Sequence, residues 1–320
     1  MSLLQKDKIK RFTLQPEFTN HCNFRCRFCP HSVYRQRSDG GNQFTREKGY
    51  MSDDLFSLVL ENAARYAKRV QIGFFGEPLL HPRFEDYITS FPSKRRYSVD
   101  LNTNWSLVTR KTMDILKHLD CVIISLDASY SRLYDELCPG GPVLDLDGMP
   151  CRDRHAVLVD KIDYWLRLPD HAPTRIVYVV SSINEHDVKT FVDQWRPKLR
   201  SPKDCILTKS VLSYGGVMRD SHMRENKCAI WSQRWFTVAW NGDCSPCNLD
   251  VNMELNVGNL FDVQDMKLIV AGDRWHQVML AVRERSGICA NCFDANNWTE
   301  NRTYCGGSAK KGLNASTARL

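Results

Sequence analysis

The sequence contains no long apolar run and no block of basic residues, and each absence excludes a class of protein. Among its 320 residues, no hydrophobic segment approaches the length needed to span a membrane. The first residues form no apolar segment of the kind found in signal peptides. The 44 lysines and arginines, against 37 aspartates and glutamates, are dispersed and form no stripe of the kind that binds nucleic acid. We therefore expect a cytoplasmic protein without a membrane or nucleic-acid partner.

Cysteine, by contrast, is abundant, and the chain has 13 of them. An odd number without an export signal argues against a disulfide framework and favours thiolates that bind metal. The rest of the composition, 42% hydrophobic and 25% charged, is that of an ordinary globular protein. The positions of the cysteines are therefore the first guide to function.

Apolar runs rich in β-branched and aromatic residues alternate with helical stretches along the first two thirds of the chain. Six such runs are candidate strands, over 12–19, 70–75, 98–104, 121–127, 174–182 and 205–212. Helix starts are predicted just after Ser52, Thr109, Ser129 and Asn184. Six βα units in a row predict an α/β fold with a parallel sheet. They fall short of the eight units of a full barrel, so we expect a partial (β/α)6 TIM-like barrel.

The pattern changes after about residue 215, where a segment dense in cysteine, tryptophan and asparagine begins. Its sequence Trp240-Asn241-Gly242-Asp243 is typical of a β-hairpin turn. The segment is poor in aliphatic residues and is predicted to need a metal for stability. We therefore divide the chain into a barrel over 1–218, a small cysteine-rich domain over 219–305 and a flexible tail over 306–320.

Three cysteines, Cys22, Cys26 and Cys29, follow the first predicted strand within eight residues. In a parallel βα fold this point lies at the carboxyl end of the sheet, where ligands bind. Three thiolates can hold an iron–sulfur cluster whose fourth iron stays open to a ligand. The alternative is a zinc site, completed by His21 or His31, or a set of structural cysteines.

The CxxxCxxC spacing resembles that of the radical S-adenosylmethionine (SAM) enzymes, and motifs at later strand ends resemble the family in order. Gly76-Glu77-Pro78 resembles its GEP motif, and Asn102-Thr103-Asn104 resembles its TNG motif, with Trp105 after it. Ser125-Leu126-Asp127 and Asn184 close the fourth and fifth strands. The resemblance implies a SAM-binding 4Fe-4S cluster on the three cysteines. It also implies SAM contacts from Phe28, Gly76, Glu77, Pro78, Asn104, Ser125, Asp127 and Asn184.

Two further cysteine pairs lie in the carboxy-terminal segment, and by spacing alone they would suit a zinc ribbon. The pattern C-x13-G-x4-C followed by C-x2-C nevertheless resembles the twitch domain, a shortened SPASM extension of radical SAM enzymes. This resemblance implies a second, auxiliary 4Fe-4S cluster, with the ligands Cys228, Cys247, Cys289 and Cys292.

Cys244 lies three residues before one of these ligands and has no place in the pattern. One interpretation is a buried thiol. The other is a hydrogen-atom donor that quenches a substrate radical, as in radical epimerases, with Cys305 as a weaker candidate. The cysteines at 121, 138, 151 and 205 are interpreted as core or loop residues.

The resemblance implies an enzyme that removes hydrogen from a carbon of a polar small molecule, such as an aminosugar or aminocyclitol. Related dehydrogenases and epimerases make both dehydrogenation and epimerisation candidate outcomes, with a flavodoxin- or ferredoxin-type electron donor. Arg152, in a polar insert over 138–153, is a candidate substrate contact. An alternative is a ribosomal-peptide maturase, although only 21 residues precede Cys22, fewer than a leader-binding domain needs. A non-enzymatic zinc or electron-transfer protein is the most remote alternative.

Overall fold

The computed structural model describes residues 11–31, 44–218, 220–221, 228, 230, 234–292 and 302–306. Most of the tail predicted over 306–320 lies outside these residues. Within them, ten strands form one sheet and two form a separate hairpin. The strands are β1 (Phe12–Pro16), β2 (Ala67–Ile72), β3 (Ser98–Thr103), β4 (Cys121–Ser125), β5 (Val143–Leu144), β6 (Pro150–Cys151), β7 (Thr174–Val180), β8 (Cys205–Ser210), β9 (Trp235–Val238), β10 (Asp243–Ser245), β11 (Gly258–Asn259) and β12 (Arg302–Cys305).

The large sheet has the order β11-β10-β9-β1-β2-β3-β4-β7-β8-β12. Its six central strands, β1, β2, β3, β4, β7 and β8, are parallel to one another, as the βα pattern predicts. All six predicted strands are confirmed, and each ends one to three residues before its predicted end. The partial barrel is thus the core of the fold.

Helices lie between the central strands along the chain, further helices follow β11, and their apolar side chains pack in one core against the sheet. Their bounds are α1 (Asp53–Tyr66), α2 (Phe84–Thr89), α3 (Arg110–Leu116), α4 (Ser131–Leu137), α5 (Arg154–Arg167), α6 (Val188–Trp195), α7 (Leu260–Val263), α8 (Met266–Ala271) and α9 (Asp273–Arg283). Ser52 and Thr109 cap α1 and α3, since each side chain accepts a hydrogen bond from a backbone N–H of the first turn. Ser129 does not cap α4, because its hydroxyl and backbone N–H both donate to Asp187.

The two faces of the sheet differ in polarity because side chains alternate along each strand. Toward the helices, Leu14 of β1 is fully buried, and Phe12 packs edge-on against Trp275 of α9. The opposite, concave face carries Gln15 and Thr237, whose side chains are hydrogen-bonded to each other at 3.2 Å. Strand ends therefore deliver polar groups to the concave side of the barrel.

The carboxy-terminal segment extends the same sheet at both edges. β9 pairs with β1 in parallel, and the predicted hairpin turn joins β9 to the antiparallel β10. At the far edge, β12 pairs antiparallel with β8, with Cys305 opposite Cys205. In the part of the chain that the structure describes, no helix is long and apolar enough to cross a bilayer.

Candidate active site

The cysteine loop of residues 22–29 follows β1 at the carboxyl end of the sheet. Its turn is closed by the Cys29 N–H, which donates to the Cys26 carbonyl at 3.0 Å. Burial raises the pKa of Cys22 well above its ordinary range, and repulsion from Cys26 raises it further. The same two causes raise the pKa of Cys29 to about 12. The three thiols therefore share one desolvated region, where a positively charged iron cluster would compensate their negative charges.

The turn after β2 holds the entrance of this loop in place. Gly76 has φ +108°, and a Cβ there would lie 2.5 Å from the Thr19 carbonyl oxygen, so only glycine fits. The next residue, Glu77, donates its backbone N–H to the His21 carbonyl at 2.8 Å. The glycine of the GEP-type motif thus serves close packing between this turn and the residues just before Cys22. Pro78 begins a short 3-10 turn beside it.

Glu77 is buried at the centre of a set of donors. Its carboxylate accepts hydrogen bonds from the Thr103 hydroxyl at 2.8 Å and from the Asn104 N–H at 2.7 Å. Burial nevertheless raises the pKa of Glu77 to about 7, because these donors only partly replace water. A buried carboxylate of this kind suits an ammonium group, such as that of the methionine part of SAM.

The turn after β3 reaches the cysteine loop directly. The Asn104 side-chain amide donates to Asn23 Oδ1 at 2.9 Å. Trp105, which stands where the family has glycine, adopts a left-handed φ of 63° and is fully buried against Trp165 of α5. The tryptophan therefore keeps the backbone conformation of the turn and anchors it in the core.

The ends of β4 and β7 bring Ser125 and Asp127 to the same edge. Ser125 lies two residues after Ile123 and shares its face, the concave one, whereas Ile124 between them points into the main core. Asp127 is buried and accepts a hydrogen bond from the Val179 N–H at 2.7 Å. Burial raises the pKa of Asp127 to about 7, and the positive charge of Lys209 on β8 opposes this rise. Lys209 was not singled out from the sequence, although its place on a predicted strand could have indicated it.

Asn184 and Phe28, both expected to contact SAM, make well-defined contacts within the protein. The Asn184 amide donates to the Asp127 and Val179 carbonyls, and its oxygen accepts from the Ser181 N–H and hydroxyl. These hydrogen bonds use both side-chain donors and the side-chain acceptor, so Asn184 ties the end of β7 to the end of β4, and its contact with SAM stays a prediction. Phe28 is 8% exposed and packs in the apolar core.

A buried ion pair beside the cysteine loop was not predicted. Both Glu17 oxygens accept from the Arg46 guanidinium at 2.7 Å, and Arg46 also donates to the Val251 carbonyl at 2.8 Å. Nearby, Lys48 donates to the Asn20 carbonyl at 3.0 Å and contacts the His31 ring. Burial lowers the pKa of Lys48 to about 8. These two cations join the barrel, the segment before α1 and the carboxy-terminal region at one place.

The four predicted auxiliary ligands lie within electrostatic reach of one another. Burial raises the pKa of Cys289 to about 12, with further contributions from Cys292 and Cys228. The same two cysteines also act on Cys247, whose pKa burial raises well above its ordinary range. Among the residues with described positions, no three His, Cys, Asp or Glu side chains are close enough to hold a single metal ion.

The turn that carries Cys289 and Cys292 packs against the segment after β8. Gly216 has φ +87°, and a Cβ there would lie 2.6 Å from the Asn291 carbonyl oxygen. Gly216 therefore allows close packing beside Cys289 and Cys292, as Gly76 does beside the loop of Cys22, Cys26 and Cys29.

Cys244 is not brought to the concave face. It lies opposite Val238 across the β9–β10 pair, so the two side chains point to the same face. That face is the one on which Phe236 packs against Trp275, and Cys244 is fully buried in the same core. Strand alternation therefore directs this thiol toward the helices, and its role as a hydrogen-atom donor stays a prediction.

Arg152 and Cys305 also lie apart from the groups described above. Arg152 is exposed on the bend between β6 and α5, and Cys305 is exposed on the edge strand β12. Their suggested roles in substrate binding and hydrogen donation stay predictions.

Comparison with known families agrees with this arrangement of strands and cysteines. Residues 17–145 match the model of the radical SAM superfamily, and residues 228–293 match that of the SPASM iron-sulfur cluster-binding domain. The first match includes Cys22, Cys26 and Cys29, and the second includes the four carboxy-terminal cysteines Cys228, Cys247, Cys289 and Cys292. The chain is a radical SAM enzyme with a carboxy-terminal SPASM/twitch domain. SAM and a 4Fe-4S cluster, with auxiliary iron–sulfur binding in the SPASM domain, are its cofactors.

Solved structures share the fold at low sequence identity. BtrN in complex with AdoMet and 2-DOIA is 18% identical, with a TM-score of 0.53, over 88% of this chain and 93% of that one. The anSMEcpe structure with bound AdoMet is 14% identical, with a TM-score of 0.60, over 84% and 82% of the two chains. Streptococcus suis SuiB bound to precursor peptide SuiA is 15% identical, with a TM-score of 0.55, over 83% and 67%.

A curated relative from Pyrococcus furiosus, the tungsten-containing aldehyde ferredoxin oxidoreductase cofactor-modifying protein, is 33% identical over 115 residues. The match covers 35% of this chain and 29% of the archaeal protein.

Proposed function

We propose that this enzyme dehydrogenates a polar small molecule, such as an aminocyclitol, an aminosugar or a related carbohydrate. The observation that carries the proposal is the polar concave face at the carboxyl ends of the strands. Ser125 and Asn102 lie there half-buried, and Asp127 and Lys209 add one acidic and one basic group. Such groups suit the hydroxyl and ammonium groups of a carbohydrate-like substrate.

When bound, SAM and its cluster supply a 5′-deoxyadenosyl radical that takes one hydrogen atom from the substrate. We assign Cys22, Cys26 and Cys29 to the cluster, and Glu77 to the ammonium group of SAM. Asn104 positions the cysteine loop through Asn23, and Asn184 positions the end of β4. A flavodoxin- or ferredoxin-type protein is the proposed electron donor.

Dehydrogenation requires the substrate to lose a hydrogen atom, an electron and a proton, whereas epimerisation requires a hydrogen atom to be returned. The best thiol candidate for that return, Cys244, faces the helices and not the concave face. An electron acceptor is available in the auxiliary cluster that we assign to Cys228, Cys247, Cys289 and Cys292. This difference favours dehydrogenation over epimerisation.

The test is an anaerobic incubation of reconstituted enzyme with SAM, a strong reductant and a panel of aminocyclitols, aminosugars and short peptides in deuterated water. We expect one 5′-deoxyadenosine for each product molecule lighter by two hydrogens, measured by mass spectrometry. A product of unchanged composition carrying one deuterium would instead establish epimerisation. Modification of a peptide alone would replace the proposed substrate class with that of the peptide maturases.

A further inference from the structure

The segment after α4 lies against the cysteine loop along most of its length. The Arg27 N–H donates to the Leu137 carbonyl at 2.8 Å, and the Arg25 N–H donates to the Pro139 carbonyl at 2.8 Å. Phe24 forms an isolated antiparallel bridge with Gly140. In this antiparallel register residue 26 stands directly opposite residue 138. Both positions are cysteines.

The side chains of Cys26 and Cys138 are neighbours, because directly opposite residues of an antiparallel pair point to the same side. Cys138 is 3% exposed, and the half-buried Cys26 packs against the core to which Cys138 belongs. The sequence predicts only a core or loop position for Cys138, because nothing in the local pattern shows that the chain turns back onto the cysteine loop.

Neighbouring contacts hold Cys138 in this position. A Cβ at Gly140 would lie 2.4 Å from the Asn23 carbonyl oxygen, so the two backbones are already as close as they can be. Arg154 donates to the Cys138 carbonyl at 2.9 Å while its guanidinium lies over the Phe24 ring, 5.7 Å from the centroid. The end of α4, the start of α5 and the cysteine loop therefore form one packed unit.

We propose that Cys138 is a positioning residue that donates an S–H hydrogen bond to Cys26 Sγ when that thiolate holds the SAM-binding cluster, and thereby raises the reduction potential of the cluster. The inference rests on the proposed function, which assigns Cys26 as a ligand. Hydrogen bonds to the ligand sulfurs are among the features that set iron–sulfur potentials. A donor stabilises the reduced cluster more than the oxidised one, because the reduced cluster carries one more negative charge on its sulfurs. The thiol of Cys138 stays protonated and is not itself a ligand.

The experiment is a potentiometric titration of the reconstituted enzyme that is monitored by electron paramagnetic resonance. The SAM-binding cluster is identified as the one whose signal changes when SAM is added. We expect Cys138→Ala, which has no donor, to shift the midpoint to a more negative potential than that of the wild type. Cys138→Ser should shift it to a more positive potential, because a hydroxyl is a stronger donor than a thiol. The matched control is Cys121→Ala, which removes another buried thiol, at the amino end of β4 and so at the sheet edge opposite the cysteine loop, and should leave the potential unchanged.

Iron content and thermal unfolding of each variant separate this inference from the proposed function. If the wild type and a Cys22/Cys26/Cys29→Ala triple variant bind equal amounts of iron, the ligand assignment itself is wrong. If the wild-type cluster forms and the alanine and serine variants share its potential, the inference alone is overturned. If Cys138→Ala binds less iron than the wild type, the test rests on Cys138→Ser. A serine variant with the same midpoint potential as the wild type would then contradict the proposed hydrogen bond.

Discussion

The two cysteine sets differ in how much of their geometry the polypeptide provides by itself. Cys22, Cys26 and Cys29 lie on one short loop that is hydrogen-bonded to the turns after β2 and β3 and to the end of α4. The auxiliary set is spread from residue 228 to residue 292 over three separate segments, and Cys228 is exposed. A longer loop costs more entropy to close, so the second site depends more on its metal for its final shape. We therefore expect the amino-terminal site to be largely preorganised and the carboxy-terminal site to reach its final shape when its metal binds.

The largest expected effect is the complete loss of SAM cleavage, which should follow from removing the first cysteine set but not the second. Changing Cys22, Cys26 and Cys29 together to alanine should abolish SAM cleavage, because no cluster remains to bind and reduce SAM. Changing Cys289 and Cys292 to alanine should spare part of the SAM cleavage and abolish substrate turnover. The measurement is 5′-deoxyadenosine by chromatography, with iron falling from about eight atoms to about four in each variant. Continued SAM cleavage by the triple variant would place the active cluster elsewhere.

A smaller effect should come from Glu77, which we assign to the ammonium group of SAM. Glu77→Gln should weaken SAM binding about tenfold to hundredfold, from the loss of roughly 1.5–3 kcal/mol for a hydrogen bond to a charged group. The pKa of Glu77 is raised to about 7 by burial, so below pH 7 a proton must leave before the ammonium group binds. SAM affinity of the wild type should therefore fall as pH is lowered from 8 to 6.

The control for this prediction is the same titration on Glu77→Gln, in which that part of the pH dependence should disappear. The affinity is measured by equilibrium dialysis on the reconstituted enzyme. An identical pH profile in the two proteins would show that another group is responsible.

A matched pair of glycine substitutions compares the packing of the two sites directly. Gly76→Ala and Gly216→Ala each place a methyl group about as close to a backbone carbonyl oxygen, at 2.5 Å and 2.6 Å. We expect Gly76→Ala to lower SAM-binding iron and SAM cleavage, and Gly216→Ala to lower auxiliary iron while sparing cleavage. Iron content and thermal unfolding are the measurements.

Gly148→Ala is the control for backbone strain alone. Gly148 has φ +88°, but a Cβ there would meet only the Thr109 methyl group, at 3.9 Å. It should cost about 1–2 kcal/mol of stability, the penalty for a left-handed non-glycine residue, with normal iron content. Equal iron in all three variants would mean that neither contact positions a cluster.

The smallest effect is expected for Cys244→Ala. Since this thiol is buried among apolar side chains on the helix face, its removal should cost about 1 kcal/mol and leave the product unchanged. Product analysis by mass spectrometry and the melting temperature are the measurements. Loss of turnover at normal iron content and stability would return Cys244 to the mechanism.

Much of the fold could be predicted because its elements are local. Alternation and β-branched composition located all six central strands, and hydroxyl caps located the starts of α1 and α3. The motifs at the ends of β2 and β3 also lie beside the cysteine loop, because carboxyl ends of parallel strands share one edge.

What could not be predicted depends on contacts between distant parts of the chain. The contact of Cys138 with Cys26 exists only because α4 ends against the cysteine loop, and the Glu17–Arg46 pair requires the segment before α1 to fold over β1. The face of the sheet to which Cys244 points could in principle have been predicted, since the hairpin turn fixes the register of β10 on β9. The use of every hydrogen-bonding group of Asn184 could be seen only in three dimensions.

The strands that flank the barrel also bear on its solubility. Strand β9 covers the open hydrogen-bonding edge of β1, and β12 covers that of β8, although the two are far apart in sequence. A chain truncated after β8 would expose both edges, each a template for pairing with other chains. The auxiliary region therefore protects the barrel from aggregation as well as carrying its own cysteines, and a barrel expressed alone should self-associate through these edges.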